Sequence, residues 1–488
     1  MFDKLKQLSK DTAVYGISTM VGRFLNFVLV PLYTNIFLPS DYGIVQIIFA
    51  YLGILNIVYI YGMDSAYLKF ASFLDIGDEK DNFSTPYISV VVVSVIFSSL
   101  IILFKNSILS PLSIPAKFNY LIYIGAIILM LDALAVIPFL KLRLERKAKK
   151  FALFKIINIV VNISFNIILI FIFHWGIEAV FVSNLIASLV ALLLLLPTII
   201  SSFKFKFHFE LFKRLIKFGL PYLPAGFAVM LVQVVDVPIM EKLTNLKTVG
   251  IYKANYKLGI FMMLFVNMFQ YAWQPFFLQN AREENAKEMF SKVLTYFTII
   301  GSFILVVLSL FISDLAKINI FGFSLIGLKY WSGLSIVPVV LLAYLFNGMY
   351  VIFSAGIYIE EKSLYVPIIS GLGAFVNIVT NFLLIPVMGI MGAAIATLAA
   401  YLVMALGYYF VTQKFYKINY EVGKVLKIFS FIIIIGVLYY SVFNAGQMPL
   451  IYKLILLIVF TLLIYLFAFD KKEIAFIKNK LAEKRSKI

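Results

Sequence analysis

The stretches VNISFNIILI at residues 161–170 and VNIVTNFLLI at residues 376–385 are two copies of one pattern, 215 residues apart. In each copy, two asparagines lie four residues apart in an apolar segment, so both amides fall on one face of a helix. A similar spacing relates two pairs of Gly-Ile dipeptides, Gly43-Ile44 with Gly250-Ile251 and Gly176-Ile177 with Gly389-Ile390. The chain therefore contains an internal duplication of about 210 residues.

The composition is that of a membrane protein. Of 488 residues, 62% are hydrophobic and only 14% are charged, and the mean hydropathy is +0.99. Soluble domains are typically about half apolar and about a quarter charged. The chain has no cysteine and two isolated histidines, which argues against a disulfide-built secreted domain and a thiolate metal site. A soluble enzyme and a disordered chain are equally poor matches.

Fourteen apolar stretches predict transmembrane helices, because a helix of about 20 residues crosses roughly 30 Å of hydrocarbon. They cover approximately residues 12–36, 43–70, 84–108, 118–140, 152–174, 177–200, 216–240, 249–275, 290–313, 333–357, 364–387, 389–412, 425–443 and 449–469. The predicted fold class is all-α integral membrane.

The distribution of basic residues predicts the orientation. The net charge of +18 arises from 42 Lys and Arg against 24 Asp and Glu. With the N-terminus inside, 31 basic residues fall in cytoplasmic segments, 7 in external segments and 4 within spans. Such an excess follows the positive-inside rule and predicts two cytoplasmic termini. Membrane orientation therefore accounts for the net positive charge, and we expect no nucleic acid as a partner.

The duplication divides the predicted spans into two halves. We expect six-helix bundles at residues 1–212 and 213–420, two extra helices at 421–470 and a basic cytoplasmic tail at 471–488. Six is an even number, so both bundles enter the membrane in the same direction. They would then be related by a pseudo-two-fold axis along the membrane normal, with a cavity between them.

Four basic residues lie within the predicted spans and are candidates for substrate binding: Arg23, Lys69, Lys253 and Lys257. A charge at the bilayer centre costs about 2.5–3.5 kcal/mol, so it usually faces protein or water. Lys253 and Lys257 are four residues apart, and their charges repel unless an anion or a carboxylate is close. Lys69 ends its span and has snorkelling to the surface as the alternative.

The acidic residues within the spans are Asp64, Asp132 and Asp236. Each either pairs with a cation or binds a coupling ion, H⁺ or Na⁺, during transport. Pairing is the preferred interpretation for Asp64 and Asp132, whereas Asp236 is the best coupling candidate. We expect no other cofactor, no metal site and no catalytic residue, because no phosphate-binding loop or ligand cluster is present.

The predicted cavity is cationic and suits an anionic ligand such as a phosphate or pyrophosphate head group. Tyrosines, Gln270 and Trp273 near it would suit a glycan. The paired asparagines have two interpretations, hydrogen bonding between helices or direct contact with substrate.

The start of the chain resembles a known family. Residues 12–47, TAVYGISTMVGRFLNFVLVPLYTNIFLPSDYGIVQI, and residues 61–70, YGMDSAYLKF, are similar to polysaccharide flippases of the multidrug/oligosaccharidyl-lipid/polysaccharide exporter superfamily. The matching positions are Gly16, Gly22-Arg23, Pro31-Leu32-Tyr33-Thr34, Asp41-Tyr42-Gly43, Gly62 and Asp64.

This resemblance implies a flippase that carries undecaprenyl-pyrophosphate-linked oligosaccharide across the cytoplasmic membrane of a bacterium or archaeon. Its expected partners are the lipid-linked glycan, membrane lipids, and the glycan polymerase and glycosyltransferases of the same pathway. Arg23, Lys253 and Lys257 would then meet the pyrophosphate or acidic sugars. Asp64 and Asp236 would pair with them or bind the coupling ion.

Three alternatives remain. A lipid II flippase is disfavoured because the chain lacks a Ser-Arg…Gly-x-x-Arg pattern in its first span. A multidrug antiporter of the same superfamily would have twelve helices and an acidic cavity. A glycan polymerase or ligase would carry a large external loop with catalytic residues, which the sequence does not contain.

Overall fold

The computed structural model describes residues 27–469, except 75, 111, 321, 363 and 444–447. Arg23 and the basic tail at 471–488 therefore lie outside the described residues. Within them the chain is helical, apart from one antiparallel pair of two-residue strands, β1 (Asn319–Ile320) and β2 (Phe323–Ser324). This confirms the all-α prediction.

The first half of the described chain contains nine helices. They are α1 Phe27–Ile36, α2 Pro39–Ile60, α3 Met63–Phe73, α4 Glu79–Leu103, α5 Lys105–Leu109, α6 Leu121–Leu144, α7 Ala148–Phe171, α8 Glu178–Ser202 and α9 Phe209–Gly219. A short 3₁₀ helix, Ala116–Phe118, precedes α6.

The remainder contains eleven α-helices and two 3₁₀ helices. The α-helices are α10 Tyr222–Val234, α11 Asp236–Leu243, α12 Leu246–Tyr256, α13 Ile260–Asn280, α14 Ala286–Leu310, α15 Ile312–Lys317, α16 Val337–Ile359, α17 Tyr365–Met388, α18 Ile390–Phe415, α19 Val422–Phe443 and α20 Leu450–Phe467. The 3₁₀ helices are Lys257–Gly259 and Leu328–Ile336.

Eleven helical segments in the described residues are long and apolar enough to cross a membrane, and α9 with α10 makes a twelfth if that bent pair is one span. The protein is therefore a multi-pass membrane protein. Of the fourteen predicted spans, the first is described only from Phe27, and the eighth is divided between α12 and α13. The count of fourteen, the pseudo-two-fold axis and the side of each terminus remain predictions.

Large apolar side chains cover the outside of the bundle. Ile200, Leu364 and Val387 are 73%, 79% and 81% exposed. In water such surfaces would cost free energy, whereas in hydrocarbon they lose nothing, so they face lipid.

The predicted second span is broken at Tyr61 and Gly62, which both adopt left-handed backbone conformations, with φ of 38° and 77°. A Cβ atom at Gly62 would overlap the carbonyl oxygen of Gly219. Glycine is needed there for conformation and for space. Beyond the break, α3 packs against α9.

The prediction that the seventh span is one helix over residues 216–240 is wrong. The structure divides it into the end of α9, then α10 and α11, and α9 is bent by 42° from α10. The cause is Pro221 at the N-cap of α10, because proline lacks the N–H that would continue α9. The predicted boundary between residues 212 and 213 falls inside α9.

The two halves meet closely where α2 crosses α12. A Cβ atom at Gly43 would overlap the carbonyl oxygen of Leu246, and one at Gly250 would overlap that of Pro39. Each glycine thus contacts the residue four positions before the other glycine, so the crossing is locally two-fold. The repeated Gly-Ile dipeptides of the sequence meet at this point.

A second contact between the halves joins the end of α1 to β2 and the 3₁₀ helix that follows. The backbone N–H of Gly327 donates to Thr34 Oγ1 at 3.0 Å, and Asn35 Nδ2 donates to the carbonyl of Ser324 at 2.6 Å. Tyr330 donates its hydroxyl proton to the carbonyl of Phe37 at 3.1 Å. These bonds lie at the predicted external end, beside the α2–α12 crossing.

The paired asparagines bond within their helices and, in the first copy, between helices. Asn166 Nδ2 donates to the carbonyl of Asn162 at 2.9 Å, and Tyr33 on α1 donates to Asn166 Oδ1 at 2.8 Å. Asn381 Nδ2 bonds the carbonyl of Asn377 in the same way. The interhelical interpretation therefore holds for Asn166.

Gly43→Ala tests the crossing. The added methyl group forces α2 and α12 apart, so we expect a loss of about 2 kcal/mol of unfolding free energy. Thermal unfolding of the purified protein in detergent measures it. Gly371→Ala is the matched control, since nothing lies within 4 Å of its added Cβ. Equal unfolding temperatures for Gly43→Ala and wild type would contradict the contact.

Candidate functional site

A cavity of about 530 Å³ opens in the second half of the chain, between α10, α13, α16 and α18, with Phe27 of α1 at its edge. Its lining is Phe27, Gln233, Val234, Tyr256, Lys257, Ile260, Met263, Asn267, Gln270, Tyr344, Asn347, Tyr350 and Tyr401. Lys257 is the one charged side chain among these residues. The cavity is polar, aromatic and cationic.

A second cavity of about 200 Å³ continues from the first and shares Gln233, Gln270, Asn347, Tyr350 and Tyr401 with it. It adds further uncharged polar groups, Gln274, Ser354, Tyr358, Ser370 and Tyr408. The two form one cleft, which runs from Lys257 toward the ends of α13 and α16. By the distribution of basic residues, these helix ends lie on the predicted cytoplasmic side.

The local sequence explains how α13 presents its amides. Asn267, Gln270 and Gln274 lie at positions i, i+3 and i+7, which places them on one helical face. The sequence analysis named Gln270 and Trp273, and both line the cleft. It missed Asn267 and Gln274, although their spacing was a usable signal.

Lys257 lies where the cleft reaches the first half of the chain. Its Nζ donates to the hydroxyl of Tyr42 on α2 at 2.8 Å and lies 5.3 Å from the centre of that ring. Tyr42 is fully buried next to the α2–α12 crossing. The cation is therefore fixed between the halves, and no other hydrogen-bond partner of its ammonium is found among the described residues.

Lys253, one helical turn before Lys257, has a different environment because it faces Asp236. Its Nζ lies 3.3 Å from both carboxylate oxygens of Asp236. Tyr252 donates to Asp236 Oδ2 at 2.6 Å. Asp236 is 2% exposed and Lys253 is 8% exposed. The carboxylate that two neighbouring lysines required is thus supplied by Asp236.

Lys69 and Asp64 lie on α3, outside the lining of the cleft. The Lys69 side chain is exposed, and its Nζ lies 4.0 Å from the ring centre of Phe218 on α9. This is the geometry of a cation–π contact. Asp64 is partly buried in the first turn of α3, where a carboxylate interacts favourably with the helix dipole.

Asp132 on α6 belongs to the first bundle, away from the cleft. It accepts a 2.6 Å hydrogen bond from Ser188 on α8 and is subject to the charge of Lys155 on α7. The hydrogen bond therefore links α6 to α8 within that bundle. The structure brings Lys253 and Asp236 together, places Lys257 in the cleft, and leaves Lys69, Asp64 and Asp132 elsewhere.

No group of three His, Asp or Glu side chains within the described residues could hold a metal ion. The acidic loop before α4 has another use: Asp78 and Asp81 form a capping box, and Lys204 bridges them at 3.0 and 3.3 Å. The pKa of the Asp78 carboxyl is lowered from its usual value. The main cause is the hydrogen bond from the backbone N–H of Asp81, and the second is the hydrogen bond from Lys204.

A family model described as "Polysaccharide biosynthesis protein" matches residues 8–281, which is more than half of the chain. No curated protein sequence matches the chain significantly.

Three solved structures have similar folds. The lipid II flippase MurJ in an inward closed conformation shares 18% identity and a TM-score of 0.72, over 93% of this chain and 98% of MurJ. An inward-facing multidrug resistance MATE transporter of the MOP superfamily shares 12% identity and a TM-score of 0.65, over 83% and 97% of the two chains. A MOP superfamily transporter from Pyrococcus furiosus is described as having a binding pocket of reverse polarity. It shares 12% identity and a TM-score of 0.60, over 83% of this chain and 95% of that transporter. At these identities the likeness shows the fold.

Asp236→Asn tests the buried ion pair. It leaves the Lys253 ammonium without a carboxylate, so we expect a loss on the order of 3 kcal/mol in unfolding free energy. The double variant Asp236→Asn/Lys253→Met removes both charges and should recover most of that loss. Chemical unfolding in detergent gives both values. A double variant no more stable than the single one would contradict the pairing.

Proposed function

Because the chain belongs to the polysaccharide biosynthesis protein family, we propose that it flips undecaprenyl-pyrophosphate-linked oligosaccharide across the cytoplasmic membrane of a bacterium or archaeon. The coarser statement, that it is a membrane transporter with the flippase fold of the MOP superfamily, rests on the fold and the family. In this proposal glycosyltransferases supply the cargo, and a glycan polymerase consumes it.

The observation that carries the proposal is the chemistry of the cleft. One lysine and no carboxylate line its described surface, so the site attracts anions rather than cations. Lys257 would bind the pyrophosphate by charge-assisted hydrogen bonds. The amides of Gln233, Gln270 and Asn347 would bond sugar hydroxyls, while tyrosine rings pack against sugar faces.

The geometry between the halves supports alternating access. The α2–α12 crossing and the bonds between Thr34 and Gly327 join the halves at the predicted external end. The cleft extends toward the opposite end, from which a cytoplasmic substrate would enter. Export would require the external contacts to separate while the halves close at the other end.

We assign Asp236 and Lys253 to charge pairing. For Asp236 to bind a coupling H⁺ or Na⁺ instead, the ion would have to displace Lys253 from both carboxylate oxygens. Arg23, outside the described residues, is proposed as a second cation for the pyrophosphate. Lys69 is proposed for the membrane surface, where its position beside Phe218 supports snorkelling.

A lipid II flippase is the second candidate, and the likeness to MurJ favours it. Lipid II also carries a pyrophosphate between a prenyl chain and sugars, so Lys257 would serve the same purpose. A multidrug antiporter is less well supported, because a cationic drug needs a carboxylate and the described lining of the cleft offers none.

Translocation in proteoliposomes tests the function. We expect the purified protein to expose a fluorescent undecaprenyl-pyrophosphate oligosaccharide to an impermeant quencher at least about tenfold faster than protein-free liposomes do. Lipid II and a cationic dye, assayed in parallel, should remain at the protein-free rate. Movement of lipid II alone would instead establish the second candidate, and movement of the dye alone would refute both.

Lys257→Met tests the cation in the cleft. Losing a charge-assisted bond worth about 1.5–3 kcal/mol should slow translocation by about tenfold or more. The matched control is Lys247→Met, since Lys247 is exposed on the preceding helix α12 and lies outside the cleft. Equal rates for the two variants, at equal protein levels, would refute the assignment of Lys257.

A further inference from the structure

A row of aromatic and basic side chains lies between α8 and α10, outside the cleft. Residues 203–209 read FKFKFHF and lead directly into α9. Phe205 is 97% exposed, Phe207 40% and Phe209 60%. Rings exposed side by side are unfavourable in water, so this surface should be covered by an apolar medium or a partner.

The inner face of α9 is already occupied. Leu211, Leu215 and Gly219 are buried, and the ring of Phe218 meets Phe70 of α3 edge-on at 6.1 Å. These contacts hold α9 in place and leave its opposite face outward. We call the outward set the linker surface; it comprises Phe205, Lys206, Phe207, Phe209, Lys213, Arg214 and Lys217.

The linker surface is strongly basic. Lys206, Lys213, Arg214 and Lys217 are exposed, and Glu210, bonded to Arg214 at 3.4 Å, is the one acidic neighbour on α9. Lys204 is not counted, because it bridges Asp78 and Asp81. The surface therefore attracts anions.

The position of the linker surface identifies what covers it. α8 ends at Ser202 and α10 begins at Tyr222, so α9 connects two consecutive membrane segments and lies at the level of their ends. Phenylalanines beside lysines on a helix of this kind are typical of helices that lie in the membrane interface. Basic clusters next to a membrane helix attract anionic lipid.

We propose that the linker surface binds anionic phospholipid, with the phenylalanines among the acyl chains and the four cations on the phosphates. This inference is independent of the cargo. Since α9 packs on α3 at one side and continues toward α10, bound lipid holds the connection between the two halves at the membrane surface.

Lipid binding by the full-length protein tests the charges. Native mass spectrometry measures the affinity for phosphatidylglycerol of wild type and of K206Q/K213Q/R214Q/K217Q. We expect at least about tenfold weaker binding in the variant. The control K149Q/K287Q/K414Q/K417Q removes four lysines elsewhere on the predicted cytoplasmic side and should stay within about twofold of wild type. Equal losses in the two variants would overturn the proposal.

A depth measurement tests the phenylalanines. The chain has no cysteine, so Phe205→Cys provides a unique site for an environment-sensitive dye. In nanodiscs containing brominated phosphatidylglycerol, we expect its fluorescence to be quenched at least about twofold more than that of a dye at Glu283→Cys, an exposed turn position between α13 and α14. Equal quenching would overturn lipid contact and indicate a protein partner for this surface.

Discussion

Two helices approach with their backbones in contact only where neither carries a side chain at the crossing, and α2 and α12 meet this condition at Gly43 and Gly250. The rest of the arrangement depends on this contact. It buries Tyr42, which fixes the ammonium of Lys257, and it lies beside the hydrogen bonds that Gly327 donates to Thr34 and Tyr330 donates to Phe37. The cation of the cleft is thus positioned by the same contact that closes one end of the protein.

Two neighbouring lysines in the membrane have separate uses. Lys253 is neutralised by Asp236 and Tyr252, so it contributes to the structure of the second half. Lys257 has a neutral hydroxyl as its one hydrogen-bond partner among the described contacts, so no described carboxylate neutralises its charge. A buried ion pair next to an uncompensated cation makes the local potential positive. An anionic head group would remove that imbalance.

Much of the fold could be predicted from apolar length, because long uninterrupted helices such as α8 and α18 match the sequence segments closely. The breaks between α2 and α3 and between α9 and α10 could not be predicted from apolar length. The hydropathy of a residue is the same in any backbone conformation. The left-handed conformations of Tyr61 and Gly62 therefore leave no signal in the apolar pattern of the sequence. Pro221 is a signal for the division between α9 and α10, because proline lacks a backbone N–H. Membrane helices nevertheless tolerate proline, so the residue alone does not predict a break.

For the site, intramembrane charge was sufficient to single out Lys253, Lys257 and Asp236, since each is costly in lipid without a purpose. It did not separate their roles, because pairing depends on which side chains face each other across α11 and α12. The amide row on α13 was missed for a different reason. Uncharged amides cost less in a membrane, so they stand out less among 29 tyrosines and 49 phenylalanines.

The described lining of the cleft lies mainly on helices of the second half. Among residues 27–469, Phe27 of α1 is the one lining residue from the first half. None of the described lining residues on α10, α13, α16 and α18 is Gly43, Gly250 or one of the backbone groups that these glycines contact, so substitutions on those four helices can change the chemistry of the cleft and leave the glycine crossing intact.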